Sequence, residues 1–433
     1  TSGIDTILLA AGIAAADVTL SRGANDALIL RVNIAAILLA AGAYTHLVWG
    51  DGVLVYIIED MWGAIDKEVL LSIPLFLLCG SVMGKGAIAE RLIRVMRAFT
   101  APVPGGMALA TILTCAVFAA ISGSSAVTLI AVGTIAYPAL IQDGYSKRFA
   151  LGALVTGGTL GVIIPPSIPM ILYGIVTETS IIDLFTAGII PGLLLMALLS
   201  GYSLIVNRHV ATEALSVSDV GSAFASGIWA LIMPVILLGG IYSGYFSPTE
   251  SAAVALGYSI FIEMFVHKEL KIRDLKDIAI ETTIILGTLF PVLAIALSVN
   301  LLLTSHQVPA ALTEWISGFV TNKVTFILCV NVLLLIVGCV MDMASAILIL
   351  APILLVLGRA YGVDPVHLGI IMTVNLEIGL LTPPVGINLI VAMSAFKENF
   401  GLIVKGVLPF IGVMIVGLLL ISFIPELSLF LVR

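Results

Sequence analysis

The sequence predicts an all-α polytopic membrane protein built on inverted repeats, with two re-entrant helical hairpins and two broken helices. Three observations carry this expectation. Of 433 residues, 60% are hydrophobic and only 10% are Asp, Glu, Lys or Arg, against about 25% charged in soluble domains. Two long apolar stretches are interrupted at mid-length by small polar residues, at Ser122-Gly123-Ser124-Ser125 and at Met341-Asp342-Met343-Ala344-Ser345. Two later apolar stretches each contain the string Gly-x-x-x-Pro-Pro, at Gly161–Pro166 and Gly379–Pro384.

The remaining composition narrows the class. Net charge is −7, with no Lys/Arg-rich patch of the kind that binds nucleic acid. Cys79, Cys115, Cys329 and Cys339 all sit in apolar runs, as small buried thiols do. No C-x-x-C metal pattern or H-E-x-x-H string occurs. The chain opens on Thr1, which we read as a trimmed start. No cleavable signal is visible, so internal helices would direct insertion.

About 20 apolar residues cross about 30 Å of hydrocarbon. Stretches of that length are 27–49, 149–176, 184–206, 226–246, 278–304, 366–395 and 402–430; 4–20, 70–84 and 251–266 are shorter or flawed. Within the interrupted stretches 105–141 and 324–357, each half is about 15–17 residues, short for a crossing. Two half-depth helices meeting at a tip fit better, because irregular backbone at membrane depth survives only where protein or a water-filled cavity surrounds it.

Basic residues orient the elements. Lys85, Arg91, Arg94 and Arg97 precede the first interrupted stretch and Lys147-Arg148 follow it. Positive charge marks the cytoplasmic side, so this stretch enters and leaves there as a hairpin. Lys268, Lys271, Arg273 and Lys276 mark another cytoplasmic loop, after which 278–304 crosses outward. The second interrupted stretch then lies outside, between Lys323 and Arg359, and 366–395 returns to Lys397 and Lys405. Residues 85–101 place Ile88, Leu92, Val95, Met96 and Phe99 at helical spacing among charges, as in a helix lying in the cytoplasmic interface.

Each repeat thus reads hairpin, Gly-containing loop (Gly144 or Gly362), and helix interrupted before a Pro-Pro pair. Proline removes a donor and clashes with the preceding turn, so two in succession unwind the helix. Paired discontinuous helices near the midplane point to a secondary transporter's binding site. Unwound carbonyls with Ser or Thr hydroxyls suit Na⁺, and inward-pointing helix N-termini attract an anion. Asp342 would either lower the cost of desolvating Na⁺ or cap the helix that follows. Glu377, one turn before the second break, would pair structurally. Ser247-Pro248-Thr249-Glu250 reads as a helix start.

At these residues the sequence resembles the large membrane subunit of tripartite ATP-independent periplasmic (TRAP) transporters. The resemblance rests on Ile121–Ala126, Gly144-Tyr145, Ile164–Pro169, Phe246–Val254, Met341–Met343, Asp364–His367 and, most specifically, Asn375–Gly386. It covers about residues 70–430. The first 60 or so residues depart from the family pattern, because Asp17, Arg22, Asp26 and Arg31 make the opening helices less apolar and leave the number of N-terminal spans open.

The resemblance implies an elevator-type ion transporter of the bacterial inner membrane, and not an enzyme. A transport domain formed by 105–183 and 305–400 would slide through the lipid bilayer against a scaffold of 1–104, 184–304 and the C-terminal helix 401–433. Na⁺ would drive uptake of an acidic solute, a carboxylate or sialic-acid-like compound. A periplasmic solute-binding protein would deliver it, and a small four-helix membrane subunit would enlarge the scaffold. Carried over by position, Ser122, Ser125, Gly161, Ile164 and Pro166 would form one Na⁺ site. Asp342, Ser345, Gly379 and Thr382 would form the other, with Ser124, Ser167 and Asn388 facing solute.

Two rival readings stand beside it. A stand-alone sodium–carboxylate symporter would share the hairpins but need no binding protein. An intramembrane serine hydrolase would need a base beside Ser124, yet His46, His209, His267, His306 and His367 all fall near expected span ends.

Overall fold

The computed structural model describes residues 55–433 except 211, 213 and 215, together with 39, 40, 42–44, 46 and 47. The expected spans 4–20 and most of 27–49 lie outside these residues, as do Asp17, Arg22, Asp26 and Arg31. The elements of regular structure among the described residues are all helical. Among the described residues, ten segments are long and apolar enough to cross a bilayer.

From Val55 onward the first three helices are α1 (Val55–Ile65), α2 (Ser72–Lys85) and α3 (Ile88–Thr100). A hairpin of α4 (Gly106–Ser122) and α5 (Ser125–Gln142) leads to the first broken helix, α6 (Lys147–Ile163) with α7 (Ile168–Thr177). Four long helices follow, α8 (Ile181–Val206), α9 (Val217–Tyr242), α10 (Pro248–Phe261) and α11 (Ile272–Ser305), then the short α12 (Val308–Ser317). The second hairpin is α13 (Lys323–Val340) with α14 (Met343–Ala360), and the second broken helix is α15 (Pro365–Gly379) with α16 (Ile387–Phe396). The chain closes with α17 (Phe400–Phe423) and α18 (Glu426–Leu429).

Side-chain caps set half of these helix starts, satisfying backbone N–H groups that have no partner within the helix. Ser146, Ser167, Ser180, Ser216, Asn322, Asp342, Asp364 and Asn399 each accept from a backbone N–H in the first turn. Ser247 and Glu250 form a reciprocal capping box at α10, so this acid is structural, as its sequence context suggests. Elements that differ from expectation have local causes. Helix α1 carries Glu59 and Asp60, which break the apolar pattern that would have marked it. Helix α11 begins at Ile272 instead of 278, where the Asp274 carboxylate accepts from the Lys271 backbone N–H at 2.8 Å and holds a charged first turn. The expected span 402–430 ends at Phe423, where Pro425 follows.

The first broken helix is the centre of the molecule. Its most apolar window is 94% buried, against 28–33% for α8, α9 and α11, whose outer faces remain uncovered by protein. Helices α4, α5 and α17 pack on α6. A Cβ on Gly152 would lie 2.3 Å from the Gly406 carbonyl, and one on Gly406 2.4 Å from the Arg148 carbonyl, so α6 and α17 touch backbone to backbone. Small residues bring helices this close where no hydrophobic effect drives association in lipid. The two repeats also exchange partners. Helix α14 of the second hairpin packs on α7 of the first broken helix, while α16 of the second broken helix packs on α5 of the first hairpin.

Polar contacts join the loops at the two ends. At the base of the first hairpin, Arg97 reaches Asp143 at 3.2 Å, and Lys147 and Tyr137 meet Glu398 at 2.7 and 2.8 Å. Those hydrogen bonds hold the Glu398 carboxyl below the usual carboxylate range. At the base of the second hairpin, Lys323 donates to the Gly362 carbonyl at 3.0 Å and Tyr361 to that of Val320 at 2.8 Å. Helix α3 buries Ile88, Leu92 and Val95 against its neighbours α4 and α9, while Phe99 stays exposed. Most of its apolar stripe is therefore spent on protein.

Gly406→Ala is expected to force α6 and α17 apart at a cost of about 1–3 kcal/mol, read as a lower melting temperature in detergent. Gly412→Ala on the same helix faces open space and should leave melting nearly unchanged. Equal melting of the two variants would show that close backbone approach does not hold this pair.

Candidate functional site

Both hairpin tips end against the unwound segments. At the first tip, Gly123 adopts φ +59°, which lets α4 stop and α5 start with only Gly123 and Ser124 between them. The Ile168 N–H, just beyond the first Pro-Pro pair, donates to the Gly123 carbonyl at 3.4 Å. At the second, the Val385 N–H, just beyond the second pair, donates to the Cys339 carbonyl at 3.3 Å. Backbone groups released by the prolines are thus used across elements. Both Pro-Pro bonds are cis.

The first corner is lined with oxygen. The Ser122 and Thr128 hydroxyls are 2.7 Å apart. A Cβ on Gly161 would fall 2.5 Å from the Thr128 hydroxyl and 2.6 Å from the Ser124 carbonyl, and one on Gly123 would fall 3.1 Å from the Pro166 carbonyl. Ser122, Gly161 and Pro166 therefore meet as the sequence grouping has them. Ile164 is at the same break, with its side chain against Gly192 of α8. The Ser125 hydroxyl is engaged elsewhere, donating to the Asn388 side-chain oxygen at 3.3 Å. Thr128 belongs to this corner and escaped the sequence reading. It lies one turn after Ser124 on the same helical face, a usable signal.

At the second corner the polar side chains serve the backbone. Asp342 caps α14, accepting from the Ser345 N–H at 2.9 Å, which is one of the two roles its position allowed. The Thr382 hydroxyl donates back to the Ile378 carbonyl at 2.9 Å. Gly379 packs on Gly338, where a Cβ would fall 2.5 Å from the facing Cα. Ser167 is buried and caps α7.

Between the corners lies a cavity of about 360 Å³. Ser124 and Ser125 come from one tip and Asp342 and Ser345 from the other, with Glu377 at the back. Ile285, Thr288, Leu289 and Val292 of α11 form the facing wall. Glu377 is fully buried and accepts from the Asn388 amide at 2.8 Å. Asn388, which the sequence reading placed on the solute, thus bridges Glu377 and Ser125. A buried acid in an apolar helix was a visible signal; its direction was not. The neighbouring Asn375 is structural, donating to Asn331 of α13 at 2.6 Å. Among the described residues no cluster of three His, Cys, Asp or Glu side chains occurs.

Comparison with known proteins identifies the family. Residues 27–427 match the family described as the tripartite ATP-independent periplasmic transporter, DctM component. The chain is 39% identical to the C4-dicarboxylate TRAP transporter large permease protein of Pseudomonas aeruginosa, covering 90% of this chain and 92% of that one. It is 35% identical to the ectoine TRAP transporter large permease protein of Halomonas elongata, covering 88% and 90%. The crystal structure of the Alcanivorax borkumensis YdaH transporter shares the fold, with a TM-score of 0.58 at 15% identity over 87% of this chain and 90% of that one. On this evidence the chain is a multi-pass membrane permease, not an enzyme, and belongs to the DctM component family of TRAP transporters.

Proposed function

We propose that the chain is the Na⁺-driven large subunit of a TRAP system that takes up a small organic acid across a bacterial inner membrane. In this reading the hairpins are re-entrant, and α4–α7 with α13–α16 form a transport domain that moves as an elevator. The remaining helices, α11 foremost, form the scaffold. A periplasmic binding protein delivers the solute and a separate four-helix membrane subunit widens the scaffold. The observation that carries the reading is the cavity itself, which is lined by both hairpin tips and both broken helices together with α11 and Leu77 of α2.

The first corner supports a cation site. Ser122 and Thr128 offer hydroxyls, and the Ser124 and Pro166 carbonyls approach where glycine leaves room. Neutral oxygens suit a hard monovalent ion, and carbonyls of unwound helices supply them in transporters. The second corner, at Asp342, Ser345, Gly379 and Thr382, is the related site in the other repeat. Na⁺ binding there would stiffen the tips, so that Ser124 and Ser125 present a formed surface to solute. The named relatives transport C4-dicarboxylate and ectoine, so we assign this chain a small carboxylate of that size and leave selection to the binding protein.

Uptake of labelled succinate into proteoliposomes holding both membrane subunits should require an inward Na⁺ gradient and added binding protein. Uptake that persists without the binding protein would favour the stand-alone symporter, and uptake indifferent to Na⁺ would end this reading. Na⁺ at about 100 times its dissociation constant should stabilise the complex by about 2.7 kcal/mol. Gly161→Ala or Thr128→Val should weaken Na⁺ binding by about tenfold, equivalent to about 1.4 kcal/mol, measured as a shift in the Na⁺ concentration that half-maximally raises melting temperature. No shift in either variant would remove Na⁺ from this corner.

A further inference from the structure

We infer that Glu377 and Ser125 hold an additional monovalent cation, Na⁺ in the working transporter, at the seam between the two repeats and directly on the solute cavity. The inference rests on the Na⁺-driven reading above and adds to it a site that neither repeat contains alone. Ser125 comes from the first hairpin, whereas Glu377 and Asn388 flank the second break.

Glu377 is buried with no exposed surface. One of its oxygens, Oε1, accepts from Asn388, while Oε2 has no hydrogen-bond partner. Glu377 takes part in no ion pair among the described residues. A buried carboxylate in this position is costly unless a proton or a metal cation neutralises it. The Asn388 bridge also fixes what can come. By donating to Asn388, the Ser125 hydroxyl turns its lone pairs away from that bond, so its remaining capacity is as an acceptor. Glu377 Oε2, which has no hydrogen-bond partner, and Ser125 Oγ, which lies within hydrogen-bonding reach of the same carboxyl, thus stand together where one cation would bind both oxygens.

The solute supplies the second half of the argument. An anion entering this cavity would face Asp342 and would lie close to the buried Glu377 carboxyl in the lining, and like charges in a low-dielectric site repel strongly. A cation held by Glu377 and Ser125 removes the repulsion and offers its open face to the solute carboxylate. Cation and solute would therefore bind as a unit, each raising the affinity of the other. The site also joins the first hairpin tip to both halves of the second broken helix, so its occupancy would be felt by both repeats.

The test counts Na⁺ on the purified complex of both membrane subunits by equilibrium dialysis with radioactive Na⁺, with and without succinate as the anion probe. The wild-type complex should bind one more Na⁺ per large subunit than Glu377→Gln, a near-isosteric change that can keep the Asn388 contact. Ser125→Ala should keep the site but weaken it by about tenfold, and it carries the test if Glu377→Gln elutes as aggregate. Succinate should tighten Na⁺ binding in the wild type and lose that effect in Glu377→Gln. Equal Na⁺ counts in wild type and Glu377→Gln would overturn the inference while leaving Na⁺ coupling intact. A wild-type complex that binds no Na⁺ at all would overturn both.

Discussion

Two unwound backbone segments inside a buried helical core set the terms for everything around them. In hydrocarbon, each unsatisfied N–H or C=O costs several kcal/mol, and two prolines in succession release such groups where neighbouring helices are already saturated. The chain answers each break with a helical hairpin whose tip arrives at the same depth. The Gly123 carbonyl takes the Ile168 N–H, and the Cys339 carbonyl takes the Val385 N–H. Neither break is viable without its hairpin, and neither tip has its polar turn satisfied without its break. The two motifs are one unit for that reason, however far apart they lie in the chain.

Close approach makes the unit work, and glycine makes close approach possible. Gly161 sits where any side chain would collide with Thr128 and the Ser124 carbonyl, and Gly379 sits where any side chain would collide with Gly338. At the first contact the neighbours are oxygens, so the space that glycine leaves is polar. At the second the neighbour is another glycine, so the space is filled by backbone. The two repeats are alike in architecture and unlike in chemistry, and this asymmetry accounts for Asp342 and Thr382 being occupied with backbone groups while Ser122 and Thr128 face each other.

The exchange of partners between repeats places the cavity. Because α16 lies on α5 and α14 lies on α7, the back wall draws residues from both repeats, and Glu377 comes to stand beside Ser125 through Asn388. Outside this assembly, α8, α9, α10 and α11 bury a third or less of their most apolar windows. They are dressed for lipid or for other subunits, and α11 presents to the cavity little that is polar beyond Thr288.

Much of this was legible in the residues. Composition alone dictated a helical membrane protein, since so few charges cannot clothe a soluble surface. The Pro-Pro pairs dictated helix breaks through the missing N–H and the ring clash, both local effects. Ser122-Gly123-Ser124-Ser125 dictated a turn, because glycine at positive φ needs no partner to be favourable. What the sequence could not decide is direction. Ser124 and Ser125 are adjacent, yet one contributes its carbonyl to the first corner and the other turns its hydroxyl to Asn388, a choice made by a helix more than two hundred residues away in the chain. Glu377 read as a structural acid because its pattern shows only that it is buried; that one of its oxygens lies unpartnered on a cavity follows from the crossing of the repeats. Local stereochemistry wrote the elements, and the tertiary structure, through long-range packing, decided which of their polar groups face one another.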